Sequence, residues 1–219
     1  MTMILAVPAR DRIVVMADGM GVDTDTQEVS LHEVKIFALA KNVAALVTGM
    51  GLEDIPKFMN EAVSSIKADD YSDFKEIVDY MRKRLEKRDW AENDKSSMQL
   101  LIVGYLDNQP HIHILGMPED DFYKKNLHMI SLGMWEDESN DYLMKELGDM
   151  YDKNRAHRTA ELAAVRTLIE GEKVGPDSIG GQEQLWYVFR NHIEKKGTSY
   201  IARLRAKQGN AIKAAPSLV

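Results

Sequence analysis

Apolar and polar positions alternate with two different periods along this chain, and the switches between them outline its elements. Two short β-type runs come first, Thr2–Val7 and Arg12–Ala17, joined by a polar turn at Arg10-Asp11. A second pair follows at Val34–Ala40 and Val43–Gly49, with Lys41-Asn42 as a tight turn. The period then changes to helical. Ile55, Phe58, Met59, Ala62, Val63 and Ile66 share one face, with Pro56 tolerated in the first turn. Phe74, Ile77, Val78, Met81 and Leu85 repeat the pattern, with Ser72 as the expected N-cap.

Arg88–Lys95 is polar and reads as a loop. A hairpin is predicted from Met98–Leu106 through Asp107-Asn108-Gln109-Pro110 to His111–Leu115. A further strand is expected at His128–Leu132, helices around Asp141–Tyr151 and Thr159–Glu170, and closing strands at Leu185–Arg190 and Ser199–Arg205. Strands, two helices, strands, two helices, strands is an α+β order. It suggests a four-layer αββα sandwich, two sheets face to face with helices outside each. One domain is expected over 1–205. The basic stretch 206–219 lacks periodicity and reads as a flexible tail.

Composition narrows the classes. The 219 residues, 44% hydrophobic and 29% charged, suit an ordinary globular domain with a sizeable core. The net charge of −7 argues against nucleic acid or anionic membrane as a general partner. With no cysteine, disulfides, a Cys nucleophile and thiolate metal sites are excluded, and a reducing cytoplasm fits. The opening Met1–Pro8 is too short and uncharged for a secretory signal, and no apolar run nears the roughly 20 residues of a bilayer span. A cytoplasmic enzyme or assembly subunit is expected.

Thr2 is the first residue with candidate chemistry. Once Met1 is excised, a terminal threonine carries its own general base, because a free α-amino group has a pKa of about 7.7–8.0. Around it the chain resembles the proteasome β-subunits and their bacterial two-ring relatives, over about Thr2 to Arg190. Thr2-Met3-Ile4-Leu5-Ala6-Val7 looks like the family's first strand, and Ile13–Ala17 ending in Asp18-Gly19 like its second strand and active-site aspartate. Val34-Lys35-Ile36-Phe37 matches the family's lysine. Leu46-Val47-Thr48-Gly49 matches the strand end that supplies an oxyanion donor, and Asp177-Ser178-Ile179-Gly180-Gly181 resembles its Asp-x-x-Ser-Gly segment.

The resemblance implies an Ntn-hydrolase fold with two mostly antiparallel sheets and a threonine peptidase cutting short or unfolded peptides without a cofactor or metal. Lys35 would favour the alkoxide-like form of the Thr2 hydroxyl, and Asp18 would pair with Lys35. The Gly49 N–H would face the oxyanion, and Asp177 would orient the nucleophile. Met20, Val47 and Gly51 would border the specificity pocket. A homo-oligomeric ring is also implied, with an ATP-dependent unfoldase as a possible partner. Two positions depart from the pattern: Met134 and Gly180 stand where the family carries auxiliary serines. A non-catalytic ring or scaffold subunit is the alternative those departures suggest.

A rival signal is Asp18-Gly19-Met20-Gly21 after a strand, which also resembles metal-dependent Ser/Thr phosphatases. The rest of that metal site is not found in the sequence, and the phosphatase reading leaves Thr2 and Lys35 unexplained. His111 and His113 share a strand face and could bind a metal, but cross-strand packing is the simpler expectation. Glu119-Asp120-Asp121 reads as a solvated acidic loop and Asp23-Thr24-Asp25 as a polar turn. The thirteen methionines read as core filler or interface.

Overall fold

A computed structural model describes residues 3–22, 26, 28–50, 55–87, 97–117, 130–133, 136–147, 155–176 and 179–214. The chain is mixed α+β, and all its strand pairs among these residues are antiparallel. Strands β1 (Met3–Pro8) and β2 (Ile13–Ala17) form the first hairpin, followed by the small pair β3 (Gly21–Val22) and β4 (Val29–Ser30). Next come β5 (Ile36–Ala40), β6 (Val43–Met50), helix α1 (Ile55–Ala68) and helix α2 (Phe74–Glu86). Strands β7 (Ser97–Leu106), β8 (Gln109–Met117) and β9 (Ile130–Gly133) lead to helices α3 (Glu136–Leu147) and α4 (His157–Val174). The hairpin β10 (Gln184–Val188) and β11 (Ile193–Lys196) precedes helix α5 (Thr198–Ala214).

One sheet has the order β11-β10-β2-β1-β9 and the other β5-β6-β7-β8. Strict alternation along the strands sorts their side chains into separate cores. Ile4, Ala6, Ile13, Val15, Trp186 and Val188 of the first sheet meet Ile36, Ala44, Leu46, Leu101, Val103 and Ile112 of the second. The opposite face of the first sheet, including Met3, Leu5, Val14, Met16 and Tyr187, packs on Leu143, Ala164, Leu168, Ile201 and Leu204 of α3, α4 and α5. The outer face of the second, including Phe37, Val47 and Leu100, packs on Phe58, Met59, Ile66, Phe74, Ile77 and Met81 of α1 and α2. Both hydrophobic faces of β1 and β2 are therefore covered, and every residue of these strands is buried.

Several local expectations are corrected. The N-cap of α2 is Asp73, not Ser72: its Oδ1 accepts the Lys75 and Glu76 N–H groups at 2.8 and 3.3 Å. Residues 199–205 are helical rather than a strand. Ile201, Leu204 and Gln208 are buried at i, i+3 and i+7, the spacing of one helix face. The closing partner of β10 is instead β11, whose Ile-Glu-Lys-Lys sequence sits on the sheet edge. Helix α3 begins at Glu136, five residues before Asp141, and α5 continues through 206–214 to Ala214.

The turn of the β7–β8 hairpin is the pair Asp107 and Asn108, both at positive φ (50° and 61°), while Gln109 and Pro110 already belong to β8. Pro110 is tolerated there because β8 is an edge strand. Tyr151, His128 and the segments 88–95, 119–121, 23–25 and 215–219 lie outside the described residues.

Candidate functional site

Asp18 directly follows β2, where the β1–β2 ladder runs out. Its N–H still donates to the Met3 carbonyl at 3.1 Å, and its Oδ1 takes the Met3 N–H at 2.8 Å. Lys35 stands just ahead of β5 and extends that strand's pairing, since its carbonyl accepts the Val47 N–H at 2.9 Å. One residue thus ends a strand of the first sheet and the other begins a strand of the second. Their side chains join them: Lys35 Nζ donates to Asp18 Oδ1 at 3.0 Å, and also to the Met20 carbonyl.

The pair is nearly closed to water, with the Lys35 side chain 6% exposed and that of Asp18 not exposed at all. Asp18 Oδ2 takes the Met20 N–H at 3.1 Å and the Gly180 N–H at 3.4 Å. Its carboxylate is therefore surrounded by hydrogen-bond donors, which is the environment an anion needs when buried. Burial pulls the Lys35 ammonium below its ordinary range, against the charge of Asp18. It pushes the Asp18 carboxyl up, against the charge of Lys35 and the N–H of Met3. Two groups this close titrate as a pair.

Three backbone segments converge around this pair. The Gly19 N–H donates to the Gly180 carbonyl at 2.8 Å, the Glu33 N–H to the Gly19 carbonyl at 2.9 Å, and the Gln182 N–H to the Leu31 carbonyl at 2.8 Å. The approach is so close that a Cβ on Gly19 would lie 2.3 Å from the Gln182 carbonyl oxygen. Gly181 combines φ +74° with a would-be Cβ only 2.7 Å from the Leu31 oxygen. Both positions require glycine.

Of the anticipated site residues, Asp18, Lys35 and Met20 are brought into direct contact. Met20 is half-buried, and the end of its side chain lies 3.2 Å from where a Gly180 Cβ would be. Val47 pairs across from Lys35 but sends its side chain into the core beneath α1 and α2. Gly49 lies two residues further along β6, paired with Met98 and half-buried. Gly180 meets Asp18 through its backbone N–H. Thr2, Gly51, Asp177 and Met134 lie outside the described residues. Thr2 is joined in sequence to Met3, whose N–H is held by Asp18.

The residue that sequence reasoning missed here is Gln184, the first of β10, whose side chain binds the backbone on either side of Lys35. Its signal was faint: one amide opening an otherwise apolar Leu-Trp-Tyr-Val strand. The histidine pair lies elsewhere, with the His111 and His113 rings 5.8 and 5.1 Å from that of Phe74. Among the described residues, no group of three or more His, Asp or Glu is arranged to hold a metal ion, and no helix is long and apolar enough to cross a membrane. No protein-family model matches this sequence, and no curated protein does.

Proposed function

We propose that this chain is an N-terminal threonine hydrolase of the proteasome-like, Ntn-hydrolase kind, cutting amide bonds in short or unfolded peptides. The observation that carries the reading is the buried Lys35–Asp18 ion pair, whose carboxylate also holds the N–H of Met3, the residue bonded to Thr2. A cation kept this dry, beside the start of a fully buried strand, suits a site that must stabilise a developing alkoxide.

In this reading Met1 is removed and the freed Thr2 amine takes the proton of the Thr2 hydroxyl. The oxygen attacks the peptide carbonyl, and the oxyanion is met by the Gly49 N–H. The C–N bond then breaks, with the proton passing to the leaving amine. Water hydrolyses the resulting ester and restores Thr2. Lys35 favours the attacking oxygen electrostatically, Asp18 holds Lys35, and Asp177 orients the amine. Met20 and Gly51 border the peptide cleft, Val47 through its backbone. A homo-oligomeric ring would enclose such sites, and an ATP-driven unfoldase could feed it.

The phosphatase reading is less well supported. Both oxygens of Asp18 already accept hydrogen bonds from Lys35 and backbone N–H groups, donors that a metal would have to displace. The test is cleavage of fluorogenic peptide amides by the purified protein. Thr2→Ala should abolish it, and Lys35→Met should lower kcat by about 10²-fold or more, the scale of losing one electrostatic stabiliser. Turnover unchanged in both variants would overturn the proposal. No turnover in the parent protein would favour a scaffold subunit.

A further inference from the structure

Among the described residues Lys35 has no regular sheet partner on the side facing the first sheet, yet its position there is fixed. The segment 33–36 runs past the start of β10, where Gln184 pairs with Ala17, the residue before Asp18. From that point the Gln184 side chain makes three hydrogen bonds to the passing backbone. Its Oε1 accepts the Lys35 N–H at 3.1 Å and the Ile36 N–H at 3.3 Å, and its Nε2 donates to the Glu33 carbonyl at 2.8 Å. One planar amide thus stands in for the strand that would otherwise pair with this stretch, satisfying backbone groups that are costly to leave unpaired.

We propose that Gln184 is a positioning residue: its amide clamps residues 33–36 onto the first sheet and so sets where the Lys35 ammonium stands against Asp18. Geometry supports this over a purely local role. Lys35 belongs to the second sheet through Val47 and Asp18 belongs to the first through Met3. The ion pair spans the two, and its length depends on how the segment carrying Lys35 is held. Gln184 is the side chain that binds that segment on both sides of Lys35. The backbone contacts of Glu33 with Gly19 and of Leu31 with Gln182 anchor the same segment further back, so the amide governs its last turn into β5. A catalytic meaning for this placement rests on the threonine-hydrolase reading; the placement itself does not.

The experiment reads Lys35 directly, by its rate of acylation with an amine-reactive acetylating reagent, followed by peptide mass spectrometry. Exposed Lys57 and Lys75 serve as internal references. In the parent protein Lys35 should react far more slowly than either. Gln184→Met keeps the bulk and removes the hydrogen bonds, and Lys35 acylation should rise about tenfold as local opening becomes easier. Gln184→Glu retains an acceptor for the Lys35 and Ile36 N–H groups but turns an oxygen toward the Glu33 carbonyl, so it should restore only part of the protection. Ile77→Val, in the core under α2, lowers overall stability without touching the clamp and should leave Lys35 protected.

Lys35 equally protected in Gln184→Met, or equally exposed by Ile77→Val, would overturn the proposal. Peptide cleavage assayed on the same samples keeps the two claims apart. The acylation pattern without any turnover would remove the hydrolase reading and keep the clamp. Turnover in the parent with Lys35 unmoved by Gln184→Met would do the reverse.

Discussion

Replacing Asp18 by Asn takes one charge out of a pair almost sealed from water, and the cost can be worked from its surroundings. The Lys35 ammonium would keep the Met20 carbonyl as partner but lose the carboxylate at 3.0 Å. The new amide would also turn an NH2 group toward one of the donors now bound by Asp18, the N–H groups of Met3, Met20 and Gly180. If Lys35 stays charged, breaking a buried pair costs about 3–5 kcal/mol. If it sheds its proton, the cost from an ordinary pKa of 10.5 down to pH 7 is at most about 5 kcal/mol, at roughly 1.4 kcal/mol per unit. The expected loss is therefore about 3–5 kcal/mol with Lys35 charged, and no more than about 5 kcal/mol with it neutralised.

Urea unfolding followed by far-ultraviolet circular dichroism measures this. At a slope of about 2–3 kcal/mol per molar, the midpoint should fall by about 1–2 M. The double variant Asp18→Asn/Lys35→Met should lose less than the sum of the single ones, by about 1.5–3 kcal/mol, because it buries no orphaned charge. The pH dependence has a fixed sign. Burial lowers the folded Lys35 pKa, and removing Asp18 lowers it further. Between that value and 10.5 the unfolded chain holds the extra proton, so stability rises with pH across the window. The deficit of Asp18→Asn should therefore shrink as pH rises from the variant's Lys35 pKa to the parent's, above which both proteins gain alike. A loss under about 1 kcal/mol, or strictly additive variants, would refute the account of a dry, mutually dependent pair.

Other substitutions probe the frame around the site. Tyr105→Phe should be neutral or stabilise by about 1 kcal/mol, since the Tyr105 hydroxyl is buried without a hydrogen-bond partner among the described residues. Burial also pushes its pKa up to about 12, so the folded protein holds that proton where the unfolded chain has lost it. The variant's relative stability should accordingly rise from pH 10 upward, and near-ultraviolet phenolate titration should lose one step near pH 12. Gly19→Ala should cost about 1–3 kcal/mol or more in thermal unfolding, because its Cβ would meet the rigid backbone of Gln182 at 2.3 Å.

What the sequence disclosed follows from where the information lies. The strands β1, β2, β5 and β6 announce themselves as short apolar runs bounded by polar turns, and the helices α1 and α2 because each buries one apolar face at helical spacing. Helix α5 was misjudged because its buried residues, Ile201, Leu204 and Gln208, are sparse and one is polar. Strand β11 was missed because an edge strand needs only one apolar residue, Ile193, to dock. Asp18 and Lys35 were reachable only through a resemblance in motif and spacing; nothing local says that residues 17 apart share one hydrogen bond. Gln184 was invisible because its partners lie about 150 positions away in sequence and are all backbone atoms.

The central claim concerns Thr2, and intact mass spectrometry tests it most directly. The purified protein would be weighed before and after incubation with a peptide epoxyketone, which closes a six-membered ring only on a residue bearing both a free amine and a hydroxyl. The account predicts a mass lacking Met1, then a single stoichiometric adduct mapped to Thr2 and absent from Thr2→Ala. Retained Met1, or a free Thr2 that never labels, would contradict it.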